Sequence, residues 1–259
     1  MTDYKASKRI VGTSAERLAT IESTTTITDN FTPQLTWGQT GDKYSIDNNK
    51  VECAGYSNYA PNDFVYHDLG VGYHAFDNDW TYRIIINKHT TNYGYAEFGI
   101  TSDISNGDAG SMIEGSVNKG GGSNYMRING AYGGSYYEHT TGSAYSALDN
   151  TPVYCELKFV KSTGVVSQKA FTNSDYSTGQ IGSTLNYTIT SSNYSGMRYI
   201  FIGAMIATGR SDSSSTYADD FSFTYTASVT PNIQTNSIWE ESDTGKHYIW
   251  SGSAWVEVA

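Results

Sequence analysis

The chain has 259 residues, enough to bury a large core as one β-rich domain with small appendages. Only 16% of the residues are charged, whereas 22 are Tyr and 26 are Gly, a composition typical of many short strands joined by polar turns. The formal net charge of -10 argues against a nucleic-acid partner, because phosphate binding depends on clustered Lys and Arg.

The first 27 residues form a separate segment. Ser14 to Ile21 has the pattern of one or two helical turns, opened by an N-cap at Thr13 or Ser14. Such a segment is too short to be a stable isolated helix. We interpret residues 1–27 as an arm that becomes ordered against a neighbour, and a disordered leader is the alternative.

Neither a secretory signal nor a transmembrane span is visible in the sequence. The N-terminal residues lack a continuous apolar stretch, and Tyr, Ser and Thr dominate the polar residues. Together these features predict a protein that is made in the cytoplasm without a signal peptide, assembled there into a particle, and later exposed to the outside. Membrane insertion is not expected.

The most strongly patterned stretch runs from Trp80 to Thr101. Apolar side chains recur at every second position in both of its halves, which is the period of a half-buried strand. We therefore predict a hairpin of two long strands with one shared apolar face. The residues on that face are Trp80, Tyr82, Ile84, Ile86, Ala96, Phe98 and Ile100.

Further strand-like segments, separated by turn signals, fill residues 28–228. Two of them flank the turn Ser162–Gly164 as a second hairpin, and one is apolar on both sides, as expected for a central strand. The sequence therefore predicts an all-β, two-sheet antiparallel sandwich. The clearest segments are Met112 to Val117, Tyr125 to Ile128, Val153 to Lys161, Val165 to Phe171, Arg198 to Ile206 and Asp220 to Thr226.

Residues 229–259 form a small C-terminal unit in which three short strand patterns predict a β-meander. Because so small a unit buries little area, its aromatic residues must supply much of its stability. We expect Trp239, Trp250 and Trp255 to cluster. Their role has three alternatives. They could form the core of a minidomain packed on its own sandwich, an oligomer contact, or a platform on which sugars stack.

Cys53 and Cys155 are too few for a disulfide framework and lack the spacing of a zinc site. Each lies in a strand-like run at an inward position. Two buried thiols are the first interpretation and a single bridge is the second.

The order of several segments resembles a known fold. An opening DNF is followed by FVYHDLG, by WTYRIIIN with YAEFGITSD, by PVYCELKFVKSTGVVSQKAF, by RYIFIGAMI and by a closing DDFSFTYTA. This succession resembles the concanavalin A-like lectin/glucanase family, the LamG-type jelly roll. The resemblance implies a jelly-roll sandwich over residues 28–228, and fold alone says little about function.

The two ends resemble a narrower group. DYKASKRIVGTSAERLAT and TNSIWEESDTGKHYIWSGSAWVEV are similar to the terminal pieces of structural proteins of marine phages and archaeal viruses. This resemblance implies a part of the virion surface, such as a fibre, spike, capsid or decoration protein. It also implies contacts with other virion proteins and with further copies of the chain, for example in a trimer.

No catalytic motif accompanies the jelly-roll pattern. Glucanases of the resembling family place acids in one cleft through an E-x-D-x-x-E or E-x-D-x-E array, which this sequence lacks. The five His residues are scattered without metal-binding spacing, and no G-x-S-x-G motif is present. We therefore predict that the protein is not an enzyme.

Calcium is the leading cofactor candidate, because the resemblance implies an ion held in an edge loop by carboxylates and carbonyls. The preferred ligands are Asp77 and Asp79. The loops at Asp103–Asp108 and at Asp212 with Asp219–Asp220 are alternatives. Acidic turns that are simply solvated are the other interpretation.

The loop from Asn124 to Tyr145 is rich in Tyr among Gly, Ser and Asn. Tyrosine supplies a rigid ring that can stack and a hydroxyl that can hydrogen-bond. Tyrosines among small polar residues are therefore typical of an adaptable recognition surface. Such a surface suits glycan binding, and it equally suits a subunit interface or a Tyr-rich pair of surface strands. The candidate ligand-binding residues are Tyr125, Tyr132, Tyr136, Tyr137 and Tyr145.

These observations lead to a ranked set of functions. The first is a non-enzymatic virion structural protein that exposes a jelly roll and makes subunit or host-surface contacts. The second is a carbohydrate-binding lectin or adhesin domain that recognises cell-surface glycans. The third is a relative of the glycoside hydrolases.

Overall fold

The protein folds into two compact units, residues 26–225 and residues 1–25 with 226–259. In the part of the chain that the structure describes, no helix is long and apolar enough to cross a membrane. The structure, a computed structural model, describes residues 9–14, 22–31, 35–40, 44–47, 49–53, 64–71, 73–88, 94–104, 110–120, 123–132, 135–141, 152–189, 194–203, 216–228, 236–251 and 255–258.

Strands account for most of the described residues, which confirms the predicted all-β class. One 3-10 turn, Ala75–Asp77, precedes the long strand β7. The strands are β1 (Arg9–Gly12), β2 (Glu22–Asp29), β3 (Gly38–Gln39), β4 (Tyr44–Asp47), β5 (Lys50–Cys53), β6 (Phe64–Asp68), β7 (Trp80–Lys88), β8 (Gly94–Thr101), β9 (Met112–Gly120), β10 (Ser123–Tyr132), β11 (Ser135–Thr141), β12 (Pro152–Val160), β13 (Val165–Phe171), β14 (Leu185–Thr188), β15 (Tyr199–Gly203), β16 (Thr216–Ser228), β17 (Ile238–Glu241), β18 (His247–Trp250) and β19 (Trp255–Val258).

Two sheets make up the larger unit, as far as the described residues extend. The eight-stranded sheet has the order β14-β13-β12-β7-β16-β5-β4, with β2 also paired to β16. The seven-stranded sheet has the order β11-β10-β9-β8-β15-β6-β3. In each sheet the central strands are antiparallel to both neighbours, as for β7 between β12 and β16 and for β15 between β8 and β6.

The stretch from Trp80 to Thr101 corrects one prediction. Its two halves are the strands β7 and β8, as their alternation indicates, but β7 lies in the eight-stranded sheet and β8 lies in the seven-stranded sheet. The predicted hairpin is therefore wrong. Each strand has an apolar face that needs a partner, and the two faces bury against each other across the core instead of sharing one surface.

Other pairings follow the sequence pattern. The strands β12 and β13 form the predicted hairpin around the turn at Lys161–Gly164. The strands β9 and β10, which contain the predicted segments Met112 to Val117 and Tyr125 to Ile128, also pair as an antiparallel hairpin. Tyr199–Gly203 lies between β6 and β8 and is apolar on both faces, as predicted for a central strand. Residues 204–206, the predicted end of that strand, lie outside the described residues.

The core lies between the two sheets, and ring contacts join them. Tyr82 of β7 meets Phe98 of β8 edge to face, with 5.5 Å between the ring centres. The Tyr82 hydroxyl donates a hydrogen bond of 3.3 Å to the Phe201 carbonyl of the facing sheet. Gln168 Nε2 of β13 likewise donates to the Ser116 carbonyl of β9 at 2.9 Å. Burial raises the pKa of Tyr82, so this hydroxyl stays a donor at all ordinary pH values.

The two cysteines lie in different strands of the eight-stranded sheet. Cys155 of β12 is fully buried, as predicted for an inward thiol, and its Sγ lies 3.8 Å from the Val153 carbonyl oxygen. Cys53 ends β5, and its side chain lies outside the described part of the structure.

The terminal unit contains a four-stranded sheet with the order β1-β17-β18-β19. Antiparallel pairing of β17, β18 and β19 confirms the predicted meander. The N-terminal strand β1 pairs in parallel with β17, from Arg9 opposite Ile238 to Gly12 opposite Glu241. The meander is thus one neighbour against which the arm is ordered. Ser14 is helical, and the rest of the predicted helical turns, residues 15–21, lies outside the described residues.

The three tryptophans of this unit cluster, as predicted. The indole of Trp255 lies 5.9 Å from that of Trp239 and 5.3 Å from that of Trp250, measured between ring centres. Trp239 and Trp250 are buried and Trp255 is half-buried. Their contacts with each other stabilise the small sheet. Their role as an oligomer contact stays a prediction.

The contacts between the sheets of the larger unit predict a graded loss of stability. Phe98→Ala should lower the free energy of unfolding by about 3–5 kcal/mol, because it leaves a cavity beside Tyr82. Tyr82→Phe removes only one buried hydrogen bond and should cost about 0.5–1.5 kcal/mol. Urea unfolding would measure both values. A cost for Phe98→Ala below about 1 kcal/mol would contradict a core built on this contact.

The contact between Ser14 and Asp243 predicts a shifted carboxylate titration. The Asp243 carboxylate accepts hydrogen bonds from the Ser14 hydroxyl (2.6 Å) and the Ser14 backbone nitrogen (3.0 Å), and these bonds lower the pKa of Asp243 below its ordinary value of 3.8. A lowered folded-state pKa means that the contact stabilises the folded chain above pH 3.8, and that this stabilisation is lost as the pH falls through the folded-state pKa.

Ser14→Ala should therefore raise the pKa of Asp243 toward 3.8 in an NMR titration of the carboxyl carbons. Asp175 is the matched control, because the Thr178 hydroxyl and the backbone amides of Ser177 and Thr178 lower its pKa without Ser14. An Asp243 titration that Ser14→Ala leaves unchanged would show that the contact is absent in solution.

Candidate ligand-binding face

The seven-stranded sheet has an outer face, opposite to the core, on which every second side chain of each strand lies. Val65, Ile200 and Ile202 point inward into the core, so their neighbours along the strands point outward. One row of register partners crosses the whole sheet on the outer side. The row consists of Gly38, Tyr66, Phe201, Gly99, Glu114, Asn129 and His139.

The middle of this outer face is apolar and buried. Phe64 and Phe201 meet edge to face at 5.3 Å, and Met112 and Ala131 pack in the same cluster. Gly99 lies in this row between Phe201 and Glu114, and a methyl group there would overlap the backbone of β9. The close approach of β8 and β9 therefore depends on glycine at this position.

A buried carboxylate adjoins the apolar cluster. Glu114 is only 1% exposed, and the side-chain nitrogen of Asn129 donates a hydrogen bond to its Oε1. A buried charge without such partners would be strongly destabilising. Glu97 lies on the neighbouring strand of the same face and is half-buried. Because Glu114 is withdrawn from solvent, the two glutamates do not form an open pair of acids.

At the end of β6 and the start of β15 the outer face becomes polar and partly exposed. Tyr66 and Tyr199 meet edge to face with 5.9 Å between the ring centres, and both are half-buried. Arg198 directly precedes β15, and its guanidinium carbon lies 4.8 Å from the centre of the Tyr199 ring. We call the group Tyr66, Asp68, Arg198 and Tyr199 the Tyr–Arg patch.

Ionic and hydrogen-bonding contacts fix the Tyr–Arg patch. Arg198 Nε lies 3.2 Å from Asp68 Oδ1 as an ion pair, and Arg198 Nη2 donates a hydrogen bond of 2.5 Å to the Tyr199 hydroxyl. Asp68 Oδ1 also accepts a hydrogen bond of 2.8 Å from the Gly70 nitrogen. The Asp68 side chain is 41% exposed and that of Arg198 is 26% exposed, so both charged groups still reach solvent.

Gly38 on the neighbouring strand β3 makes room for the Tyr66 ring. A methyl group built at Gly38 would overlap the phenol end of that ring. The Tyr66 ring therefore lies over the glycine, and its orientation depends on the lack of a side chain there.

This arrangement is suited to binding a polar ligand. The patch combines two half-buried tyrosine rings, a guanidinium that donates hydrogen bonds and a carboxylate that accepts them. Neutral polar ligands with hydroxyl groups match this set of donors, acceptors and rings.

Four of the predicted ligand-binding tyrosines lie in β10 and β11, at the opposite end of the strand order of the same sheet. The backbone of Tyr125 pairs with Asn118, and that of Tyr136 pairs with Ala131 beyond a bulge. Tyr137 also lies in β11. The structure does not describe the side chains of Tyr125, Tyr136 and Tyr137. Tyr132 packs on the core and contacts Tyr194 at 5.4 Å. Tyr145 lies outside the described residues.

Sequence reasoning missed the Tyr–Arg patch, although its signal is present. The segment FVYHDLG, which carries part of the fold resemblance, contains the strand Phe64–Asp68, and its outward positions Tyr66 and Asp68 are an aromatic and an acid on one side. Nothing in the local pattern shows that Tyr199 lies beside them, because β15 follows β6 by more than a hundred residues and pairs with it only in the fold.

Of the two preferred calcium ligands, Asp79 has a hydrogen-bond partner within the protein. Asp79 Oδ1 accepts a hydrogen bond of 2.7 Å from the Lys161 backbone nitrogen, and Asp77 ends the 3-10 turn. Across the described ranges, no three His, Cys, Asp or Glu residues come together as metal ligands. Asp108 and Asp212 of the alternative loops lie outside those ranges. Calcium binding at Asp77 and Asp79 stays a prediction.

Apart from the Tyr–Arg patch, the larger unit contains a cleft near its first residues. It has a volume of about 300 Å³ and is lined by Thr28, Asp29, Asn30, Asp220 and Phe221. Asp29 accepts hydrogen bonds from Trp37 Nε1 at 2.8 Å and from the Phe31 nitrogen at 2.9 Å, so its carboxylate fixes the chain locally. Burial and the adjacent Asp219 raise the pKa of Asp220. This cleft offers no exposed aromatic surface, and we do not assign it the ligand.

No protein-family model and no curated sequence matches the chain. Solved structures do match it. A basic winged bean lectin determined with Tn-antigen is 12% identical and aligns over 78% of this chain and 98% of its own, with a TM-score of 0.54. Peanut lectin is 10% identical over 80% of this chain and 100% of its own, with a TM-score of 0.54.

The legume lectin-like domain of Entamoeba histolytica is 10% identical and aligns over 84% of this chain and 95% of its own, with a TM-score of 0.52. These similarities confirm the predicted concanavalin A-like jelly roll. At such low identity they show the fold and leave the ligand open.

Because Glu114 is buried, we expect that loss of its hydrogen-bond donor, Asn129, destabilises the protein. Asn129→Ala should lower the free energy of unfolding by about 1–3 kcal/mol, because it removes the hydrogen bond that Asn129 donates to the buried Glu114 carboxylate. Asn186→Ala is the matched control at an exposed strand position. Its free energy of unfolding should stay within about 0.5 kcal/mol of the wild-type value. Equal effects of the two substitutions in urea unfolding would contradict the role given to Asn129.

Proposed function

We propose that this chain is a carbohydrate-binding, lectin-like protein that holds its ligand on the Tyr–Arg patch. The observation that carries this proposal is that two half-buried tyrosine rings lie beside a partly exposed guanidinium and carboxylate on the outer face of a jelly-roll sheet. The similar fold of lectins supports it, among them the winged bean lectin whose structure contains Tn-antigen.

The aromatic part of the patch suits a sugar ring. Sugars present an apolar face of C–H groups, and a tyrosine contributes a rigid apolar surface with one polar tip at low entropic cost. Tyr66 and Tyr199 are held edge to face at 5.9 Å. Because their orientation is fixed before binding, little freedom is lost when a ligand docks.

The charged part of the patch suits sugar hydroxyls. A hydroxyl can donate to a carboxylate and accept from a guanidinium, and bonds to charged groups are the stronger class. Asp68 and Arg198 already neutralise each other through their ion pair. The patch therefore favours a neutral, polyhydroxylated ligand over a phosphate or a carboxylate. No sugar identity follows from this geometry.

The virion hypothesis rests on the resemblance of the terminal segments and stays a prediction, as does a location on a virion surface. The named similar structures are lectins and lectin-like domains. A lectin-like domain is compatible with recognition of cell-surface glycans, with or without a particle. The absence of catalysis is part of this proposal, since only one carboxyl group lies in the patch.

Binding to a glycan array, followed by calorimetric titration of the best-bound glycan, tests the proposal. Tyr199→Ala should weaken binding at least about tenfold, which is a loss of about 1.4 kcal/mol. Gly38→Ala should also weaken it, because the added methyl group displaces the Tyr66 ring. Tyr154→Ala, on the outer face of the other sheet, is the matched control and should bind like the wild type.

Three results would overturn the proposal. The first is the absence of any bound glycan on the array. The second is undiminished binding by Tyr199→Ala. The third is loss of binding in Tyr136→Ala with retention in Tyr199→Ala, which would place the ligand at the opposite edge of the sheet.

A further inference from the structure

We propose that the outer face of the eight-stranded sheet carries a second binding surface, and that this surface takes an anionic polysaccharide. The surface lies on the strands β7, β12 and β13. Its charged residues are Arg83, Glu156, Lys158 and Lys169, and we call this group the lysine face. It belongs to the other sheet from the Tyr–Arg patch, and the inference does not rest on ligand binding at that patch.

Strand register places the four charged residues side by side. Leu157 points into the core, so its neighbours along β12, Glu156 and Lys158, point outward. Glu156 is the register partner of Lys169 on β13 and of Arg83 on β7. Partners in adjacent strands share a face, so all four residues lie on the outer surface of the sheet.

The carboxylate of the lysine face is neutralised within the group. Arg83 Nε donates a hydrogen bond of 2.8 Å to Glu156 Oε2, and Arg83 Nη2 lies 2.7 Å from the same oxygen. The Glu156 side chain is only 9% exposed. The Tyr176 ring packs on the guanidinium, with 4.8 Å between its centre and the guanidinium carbon. Because this ion pair has no net charge, the two lysines determine the charge that the face presents to solvent.

The lysines of this hairpin differ from the other lysines whose side chains the structure describes. Lys50 and Lys246 form ion pairs with glutamates, at 2.9 and 3.0 Å. Lys158, Lys161 and Lys169 have no ion-pair partner within the described part of the chain, and all three lie on the hairpin of β12 and β13. Lys158 and Lys161 are exposed and Lys169 is half-buried. In a chain with a formal net charge of -10, unpaired ammonium groups are thus concentrated on one hairpin.

Hydrogen-bonding side chains surround these ammonium groups. The row of register partners through Lys158 contains no acid, and each of its other members carries a hydroxyl or an amide: Asn186, Ser167, Thr81 and Thr224. Asp219 lies on the same face one row beyond Arg83. Carboxylate and sulfate oxygens accept hydrogen bonds from ammonium, hydroxyl and amide groups, and the bonds from ammonium are the stronger class.

The spacing of the charges favours a polysaccharide over a nucleic acid as the partner. A positive region on an acidic protein attracts anions. Nucleic acid presents closely spaced phosphates and needs a dense array of Lys and Arg to bind them. In the lysine face, cations alternate with hydroxyl-bearing residues across strands that lie about 4.8 Å apart. A polysaccharide that carries carboxylate or sulfate groups likewise alternates charges with hydroxyls along its rings, so it matches this surface.

Calorimetric titration of the full chain with dextran sulfate, at salt concentrations from about 50 to 200 mM, tests this inference. The wild type should bind, and an excess of uncharged dextran should not displace the dextran sulfate. Lys158→Ala combined with Lys169→Ala should weaken binding at least about tenfold. It should also reduce the slope of log Kd against log salt by about two, because each lysine contact releases about one counterion. Lys50→Ala combined with Lys246→Ala is the matched control. It removes the same two charges from ion pairs and should bind like the wild type.

Four results would overturn the inference. The first is a wild type that does not bind dextran sulfate, and the second is an equal loss of binding in the two double variants. The third is oligothymidylate binding as tight as that of dextran sulfate, which would show a general polyanion site. The fourth is loss of binding in Tyr199→Ala, which would place the polymer on the Tyr–Arg patch. Tyr199→Ala should bind dextran sulfate like the wild type, so failure of this inference is distinguishable from failure of the proposed function.

Discussion

The structure depends on the burial of two apolar sheet faces against each other. Tyr82 and Phe98 lie at the centre of this contact, and their strands follow one another directly in the sequence. Because β7 and β8 face each other and do not pair, β7 hydrogen-bonds with β12 and β16, and β8 hydrogen-bonds with β9 and the distant β15. The hydrophobic contact between layers, together with the Tyr82 and Gln168 hydrogen bonds, thereby organises both sheets.

The surface proposed to bind a ligand is one that this core leaves outside. On the seven-stranded sheet, the outward positions of β6 and β15 combine rings and charges in the Tyr–Arg patch. On the terminal sheet, the outward positions combine aliphatic residues with Glu240 and His247. The difference in side-chain chemistry separates the two proposed roles: the polar aromatic patch suits a neutral hydroxylated ligand, and the lysine face of the eight-stranded sheet suits an anionic polysaccharide.

The fold was predictable where information is local, and the site was not. Alternation in Val153–Val160 and Val165–Phe171 identifies strands, and the short turn between them makes pairing nearly inevitable. The alternation of Trp80–Lys88 is equally clear, but periodicity shows only which residues share a face and not which strand lies beside them. The hairpin expected there was wrong for this reason. The parallel pairing of β1 with β17 joins opposite ends of the chain and has no local signal.

The ligand-binding proposal is tested most directly by mapping a bound glycan on the folded chain. Amide chemical shifts in ¹H–¹⁵N spectra, followed while the glycan selected by the array is added, would report which strands it contacts. The account predicts that the largest shifts occur at Tyr66, Asp68 and Tyr199 on the β6 edge of the seven-stranded sheet. Shifts concentrated at Tyr136 and Tyr137, or on the eight-stranded sheet, would contradict it.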